Sequence, residues 1–439
     1  MDRRIKGVSI CRGAPTISNL MFTDDSILFC RATTGEVQVI NEMLQVYANA
    51  SGQCINMEKS SVYFSSNTRG DHKDEIVSLL GVKEVEWFDS YLGLPTLVGR
   101  AKYQTFSFLK DRVWKKLQGW KGKMLSKVGK EVLIKAIAQA IPTYTMGVFQ
   151  LLVKLCDELN SLCAKFWWGQ IGNEKKIHRK SWDCLTQPKK EGSMGYRDLR
   201  YFNLAMLAKQ GCRLLKNHES LMFKCFKARY FPRCDFLHTK DSPNSSFVWK
   251  SMVSALPILK SGCYWRVGNG ESIEAMMDKW IPNYPSNKIL HPVHGMEEGW
   301  RVSDLIDWGI HVWKRDIIMA HFNREEAEAI CRIPLSRRGV VDSVTWMHNK
   351  KGEYSVRSGY HLARQVLRKA DWAESSNRSG RHQLWSTLWK LKIPGKINNC
   401  SPHQSLFSST RELRVWLRFF IQYHILSSLG LMKNGDHLL

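Results

Sequence analysis

Residues 17–30, ISNLMFTDDSILFC, contain the pattern that decides the fold of the N-terminal part of the chain. Two short apolar runs, 17–22 and 27–30, are typical of strands, and the four polar residues between them are typical of a turn. We therefore predict a β-hairpin with Asp24 and Asp25 at its tip. Adjacent carboxylates on a rigid turn suit Mg²⁺, which prefers anionic oxygen ligands, although Asp-Asp is also ordinary turn composition.

Helical periodicity predicts most of the elements that follow. We expect helices over residues 36–50, 106–120 and 130–141, the last ended by Pro142, a mostly helical segment over 155–240, and small β-structure over 266–280. In the 106–120 helix the apolar stripe leaves Arg112 and Lys115 on the outward side. These elements together predict an α+β fold.

The positive charge of the chain is concentrated in its middle. Lys and Arg number 65 against 40 Asp and Glu, which gives a net charge of +25. Residues 100–135 contain 11 basic and 2 acidic side chains and residues 165–240 contain 17 and 6, whereas residues 1–99 contain 9 and 12. This concentration favours a polyanion as partner, and the alternative is a solvated basic face that binds nothing.

Tryptophans are interleaved with this basic sequence. They are Trp114, Trp120, Trp167, Trp168 and Trp182. Aromatic rings beside cations can stack on nucleic-acid bases while the cations meet phosphates, but a tryptophan is also a common core residue. The sequence leaves both interpretations open.

The sequence shows no secretory signal and no membrane span. The N-terminus is charged without an apolar run behind it, and the longest uncharged stretch, 136–153, is interrupted by Pro142 and polar residues. The twelve cysteines are scattered, with no Cys-x-x-Cys, as is typical of reduced thiols. By elimination we predict a nuclear or cytoplasmic protein with no membrane partner.

Several segments in a fixed order resemble plant non-LTR (LINE-type) retrotransposon reverse transcriptases, over about residues 7–397. Three segments resemble the end of the palm subdomain: NLMFTDDSILFCRA (19–32), YANASGQCINMEKSSVYFS (47–65) and YLGLP (91–95). One segment resembles a helical thumb: FLKDRVWKKLQGWKGKMLSKVGKEVLIKAIAQAIPTY (108–144). Two segments resemble the start of the zinc-binding domain that follows the polymerase: WMHNKKGEYSVRSGYHLA (346–363) and LWKLKIPGKI (388–397).

The resemblance implies roles for individual residues. Asp24 would bind catalytic Mg²⁺ and Asp25 would support it, although Thr23 replaces the alanine of the family's Phe-Ala-Asp-Asp. Lys59 matches a lysine near the phosphates of the incoming nucleotide. The primer grip, a turn that positions the primer 3′ end, would be formed by Tyr91, Leu92 and Gly93.

Two metal sites of the family look incomplete in this sequence. The two-metal reaction needs a third carboxylate, and neither it nor the fingers is found in the residues before Asp24, so we expect no DNA synthesis by this chain alone. Zinc needs four ligands, and the chain offers only two short pairs. These are Cys400 with His403 and His291 with His294. We therefore expect no zinc.

Three functional hypotheses follow from the resemblance: an inactive reverse-transcriptase fragment, a non-enzymatic RNA- or DNA-binding protein retained from the element, and an inert translated remnant. The partner would be RNA, DNA or an RNA–DNA hybrid. The contacts would come from Arg112, Lys115, Lys116, Lys121 and Lys123.

The same resemblance predicts the domain organisation. We expect a palm fragment at 1–99, a basic and mainly helical thumb and connection at 100–282, a linker at 283–299, a truncated and α-rich zinc-binding-like domain at 300–400, and an unrelated tail at 401–439.

Overall fold

The computed structural model describes residues 5–368, except residues 24, 122, 124, 171–175, 283, 291–298, 337 and 339. Helices alternate with short two-stranded sheets, so the predicted α+β class is confirmed. The described residues divide into two units. The first contains those up to 109 together with 142–156 and 200–368, and the second contains 110–141 and 157–199. No helix among the described residues is long and apolar enough to cross a lipid bilayer.

The first unit begins with the predicted hairpin. Strands β1 (Asn19–Phe22) and β2 (Asp25–Leu28) pair antiparallel, with Phe22 opposite Asp25. The turn is therefore two residues shorter than the sequence predicted, because Asp25 is already part of the second strand. Thr23 closes the turn with a φ of 53°, a left-handed conformation that β-branched residues rarely adopt.

Helix α1 (Thr34–Ser51) confirms the helix predicted over 36–50. It begins where the Thr33 side chain accepts a hydrogen bond from the Glu36 N–H, and it ends at Gly52, whose φ is 71°. A polar cap at one end and a left-handed glycine at the other are the usual boundary signals of a helix.

A small core holds the rest of this N-terminal segment together. The further elements of the segment are β3 (Ser61–Val62), α2 (Gly70–Leu80), β4 (Lys83–Glu84), β5 (Ser90–Tyr91) and β6 (Leu94–Pro95). Strand β3 pairs parallel with β4, and β5 pairs antiparallel with β6. Val37, Phe64 and Ile76 are the buried centre of the core. Met21, Phe22, Val46 and Tyr47 are more than half exposed.

The middle of the chain is helical, as predicted. Its helices are α3 (Lys102–Lys121), α4 (Lys127–Leu133), α5 (Thr143–Met146), α6 (Val153–Trp168), α7 (Trp182–Leu185), α8 (Leu199–Lys216), α9 (Leu221–Tyr230), α10 (Phe247–Val253) and α11 (Leu256–Gly262). The apolar stripe of α3 is buried at Phe106, Leu109, Val113 and Leu117.

The helix predicted over 130–141 has different bounds and geometry. The α-helix α4 stops at Leu133, and a π-helical turn, Ile134–Ala138, continues it. Ile134 and Ala138 are both buried, so the wider turn keeps these two side chains in the core. Pro142 follows and precedes α5, consistent with a helix break at proline.

The C-terminal part of the first unit mixes short strands and helices. They are β7 (Cys263–Arg266), β8 (Ile306–Asp307), β9 (Val312–Trp313), α12 (Arg315–His321), α13 (Arg324–Cys331), β10 (Ser343–Trp346) and α14 (Val356–Arg368). Strand β7 pairs antiparallel with β10, and β8 with β9. The β-structure predicted over 266–280 is reduced to the end of β7 and one bridge from Glu274 to Arg301.

Two apolar clusters fill this part of the first unit. One surrounds Trp249 and Trp346 and includes residues of α8, α10, α11 and α14. The other surrounds Trp280 and Trp313 and includes residues of α12 and α13. Both clusters combine segments that are distant in the sequence, as expected for a core that long-range packing holds together.

A buried amide connects α8 to the segment around α5. The Asn203 side chain donates to the carbonyl oxygens of Met146 and Phe149, each at 2.9 Å, and accepts from the Leu151 N–H at 2.7 Å. Asn203 is 2% exposed. Its one side chain therefore satisfies three backbone groups that follow α5.

The predicted domain boundaries stay predictions. The β7–β10 pairing joins residues on both sides of the proposed linker, 283–299. The two short zinc-ligand pairs, the LWKLKIPGKI segment at 388–397 and the tail at 401–439 lie outside the described residues.

Candidate nucleic-acid interface

The Asp-Asp tip of the hairpin is only partly described. Asp25 is exposed at the start of β2, and Asp24 lies outside the described residues. Within the described residues, no three His, Cys, Asp or Glu side chains are close enough together to hold a metal ion. Asp25 alone does not make a Mg²⁺ site, so the role of the pair stays a prediction.

The predicted primer-grip residues form a tight turn. Tyr91 pairs with Leu94 across β5 and β6, while Leu92 and Gly93 adopt φ values of 51° and 73°. Two successive positive φ angles in a two-residue loop are those of a type I′ hairpin. The turn is thus present, and its action on a primer stays a prediction.

Lys59 lies on the surface in a turn. Its side chain is exposed, and its backbone N–H donates to Asn56 Oδ1 at 3.1 Å. The β1–β2 hairpin and the β5–β6 turn belong to separate two-stranded sheets, and Lys59 is part of neither. The structure therefore does not bring the predicted palm residues together in one sheet.

The predicted basic contacts of α3 are exposed, while the apolar stripe of the same helix is buried. Arg112, Lys115 and Lys116 are exposed, as is Lys123 beyond the helix end. Positions 112, 115 and 116 share one helix face because their spacing is three and four residues. Lys121 is the last residue of α3, and its side chain lies outside the described part of the structure.

A second basic group lies in the same unit, at the C-terminal end of α6. We call it the aromatic–basic cluster. Its members are Lys127, Lys130, Trp167, Trp168, His178 and Arg179. The Ser126 side chain caps α4 by accepting from the Gly129 N–H at 3.2 Å, and this cap starts the helix that carries the two lysines.

The two lysines of the cluster lie over aromatic rings. Lys127 Nζ is 4.9 Å from the ring centroid of Trp167 and 5.3 Å from that of Trp168. Lys130 Nζ is 5.9 Å from the ring centroid of Phe166. At these distances an ammonium group is attracted to the face of an aromatic ring. Trp167 is buried and Trp168 is half-buried.

Backbone and ring contacts fix the geometry of the cluster. Lys127 Nζ donates to the Trp167 carbonyl oxygen at 3.3 Å. Gly169 has a φ of 71°, and a Cβ there would lie 3.3 Å from Lys130 Nζ. The His178 ring stacks on Trp168 with centroids 6.0 Å apart. Glycine at 169 thus serves both the left-handed turn and the close approach of Lys130.

Like charges surround the lysines of the cluster. Burial lowers the pKa of Lys127, and the charges of Lys130 and Arg179 lower it further. Burial also lowers the pKa of Lys130, and the charge of Lys176 adds to this effect. Both shifts show that the cationic form of each lysine is disfavoured at its position.

Sequence reasoning identified only part of this cluster. It singled out Trp167 and Trp168 as tryptophans within a basic segment but did not select Lys127 or Lys130. A signal was present, since two lysines three residues apart behind a serine cap lie on one face of a helix start. The alternative that a tryptophan belongs to the core holds for Trp167, which is 2% exposed, whereas Trp114 is 48% exposed.

Two proteins of the plant Arabidopsis thaliana are similar to this chain. One, named "Putative ribonuclease H protein", is 27% identical over 319 residues, which are 69% of this chain and 48% of that protein. The other, named "Uncharacterized mitochondrial protein", is 33% identical over 143 residues, which are 32% of this chain and 93% of that protein. This chain belongs to the family of that mitochondrial protein.

The match to the protein named as mitochondrial covers a third of the chain, and the match to the longer relative covers two thirds. The chain spans about half the length of the protein named for ribonuclease H. No protein-family model matches the chain.

Proposed function

We propose that this chain derives from the reverse transcriptase of a plant non-LTR retrotransposon and binds RNA, DNA or an RNA–DNA hybrid without regard to sequence. The ordered motifs between residues 7 and 397 support this origin, as do relatives in a plant, one of them named for a nuclease. In this proposal the basic surfaces of the second unit bind phosphates.

One observation carries the proposal. Residues 100–135 hold 11 basic and only 2 acidic side chains. The described cations of α3 that were predicted to bind are exposed, while an apolar stripe of the same helix is buried. The apolar side fixes the helix, so the basic side can face a ligand. Contacts of this kind bind the nucleic-acid backbone and carry no sequence information.

Fluorescence anisotropy with a labelled RNA–DNA hybrid tests the binding. We expect affinity to fall by about 10³-fold or more between roughly 50 and 200 mM salt, because phosphate contacts release counterions. The double variant Lys115→Gln/Lys116→Gln should lower the slope of log affinity against log salt by about two. Its matched control, Lys350→Gln/Lys351→Gln, removes two exposed lysines from a turn of the first unit. A salt-insensitive interaction, or no binding at low salt, contradicts the proposal.

A primer-extension assay separates binding from catalysis. Two-metal nucleotidyl transfer needs carboxylates that clamp both ions, and the family resemblance accounts for only Asp24 and Asp25 on one turn. We therefore expect no template-dependent incorporation of nucleotides by the purified chain. Incorporation that Asp24→Ala abolishes would instead establish an active polymerase.

A further inference from the structure

We propose that the aromatic–basic cluster is a phosphate-binding site for the backbone of a nucleic-acid strand. This inference rests on the proposed function and assigns a second set of contacts to it, separate from those of α3. The site would hold one phosphodiester between the cationic groups of Lys127, Lys130 and Arg179, with Lys176 at its edge.

The first argument is uncompensated charge. The charges of Lys130 and Arg179 lower the pKa of Lys127, and the charge of Lys176 lowers that of Lys130. Within the described part of the chain, no carboxylate forms an ion pair with these four cations. A phosphate placed among them would replace repulsion between like charges by attraction to an anion.

A comparison within the same unit shows how the chain treats a structural lysine. Lys135 Nζ donates to Glu131 Oε1 at 2.5 Å and to the Met194 carbonyl oxygen at 2.7 Å. Lys189 Nζ lies 3.7 Å from the same carboxylate. These two lysines therefore share an acidic partner, whereas Lys127 and Lys130 face other cations. The difference points to an external anion for the cluster.

The second argument is preorganisation. Lys127 lies over two indole rings and donates one hydrogen bond to the Trp167 carbonyl oxygen. An ammonium group has three N–H donors. The bond to the carbonyl oxygen fixes the group and uses one donor, so the other two can donate to a ligand. The aromatic rings restrict both lysines without neutralising them. Holding flexible cations in place before binding reduces the entropy lost on binding.

The third argument selects a strand over a small anion. Lys127, Lys176 and Arg179 are exposed, so the site is an open surface. An open surface suits one phosphate of a long polyanion whose other phosphates bind elsewhere. Base stacking contributes little here, because Trp167 is buried and His178 covers one face of Trp168.

The test compares three double variants that each remove two positive charges. They are Lys127→Gln/Lys130→Gln in the cluster, Lys115→Gln/Lys116→Gln on α3, and the control Lys350→Gln/Lys351→Gln. Anisotropy with the labelled RNA–DNA hybrid gives the salt slope of each. We expect the cluster variant to lose about two units of slope and the control to keep the wild-type slope.

Thermal unfolding of the same proteins distinguishes a binding site from a structural one. If the cluster serves the ligand, removal of its mutual repulsion leaves the melting temperature unchanged or raises it. A cluster variant that melts lower than the control and still binds with the wild-type slope would show a structural role and overturn the inference.

The remaining outcomes separate the two proposals. Absence of binding by the wild-type chain overturns the proposed function and the inference with it. If the α3 variant loses slope while the cluster variant matches the control, the function stands and the inference fails. Inorganic phosphate and a free nucleotide are tested alone by calorimetry. If phosphate or the nucleotide binds through Lys127 and Lys130, but these two residues do not affect binding of the hybrid, the site does not bind a nucleic-acid strand. That result would also overturn the inference.

Discussion

Cys163 shows how strongly its surroundings control a single ionisable group. It lies within α6 and is 1% exposed. Burial raises the pKa of its thiol from an ordinary 9.0 to about 12. The thiol therefore stays protonated at pH values where an exposed cysteine becomes a reactive thiolate.

This shift predicts a pH dependence of stability. Between pH about 9 and about 12 the unfolded chain releases the Cys163 proton and the folded chain keeps it, so the free energy of unfolding falls as pH rises. In this pH range the Cys163 thiol lowers the free energy of unfolding by up to about 1.4 kcal/mol per pH unit, and Cys163→Ala should abolish this contribution. Urea unfolding at pH 8 and pH 10 measures it, with exposed Cys54→Ala as control. Equal pH dependence of both variants would contradict the prediction.

Residues whose role is local could be predicted, and residues whose role depends on distant neighbours could not. The end of α1 at Gly52 follows from its position after an amphipathic pattern. Lys127 acquires its surroundings from Trp167 and Arg179, which lie 40 residues or more further along the chain. No periodicity contains that information, so the sequence indicated a basic region but not this site.

At the scale of elements, Asn203 determines how α8 is joined to the segment around α5. Asn203→Ala would leave the Leu151 N–H and the carbonyl groups of Met146 and Phe149 without this partner. Since a buried polar group left unsatisfied costs about 1–3 kcal/mol, we expect a loss of at least that size.

Chemical denaturation of Asn203→Ala measures this loss. The control is Asn217→Ala, an exposed position just beyond α8, which should change the free energy of unfolding by less than about 0.5 kcal/mol. Equal stability of the two variants would show that the segment after α5 does not depend on the buried amide.

The elements themselves could be predicted where their pattern is regular. The hairpin was predicted because two apolar runs flank a polar turn, and α1 and α3 because their apolar residues repeat at the period of a helix. The π-helical turn Ile134–Ala138 was not, since one widened turn barely changes an apolar pattern. The β7–β10 pairing was not predicted either, because its two short strands are separated by a long stretch of chain.

At the scale of the whole molecule, the N-terminal segment has more apolar surface than its small core covers. Met21 is 66% exposed, Phe22 60%, Val46 67% and Tyr47 54%, against a buried centre of three residues. Apolar patches of this kind favour association with other chains.

We therefore expect the purified chain to self-associate through this segment. Phe22→Thr/Val46→Gln should shift light scattering and sedimentation toward smaller species, with a change in unfolding free energy within about 0.5 kcal/mol, as for exposed positions. The control Met277→Gln alters a side chain that is 65% exposed in another part of the first unit. The same self-association in the double variant and the wild type would locate the association elsewhere.

The pairing of β7 with β10 also has a consequence for synthesis on the ribosome. The strand at 263–266 leaves the exit tunnel long before its partner at 343–346, and the cluster around Trp249 needs both Trp346 and Leu362 to close. A nascent chain that has reached residue 300 therefore presents an open apolar cluster to its surroundings. Until the helix Val356–Arg368 emerges, chaperones have access to that surface, and folding of this part is completed only after that helix has been synthesised.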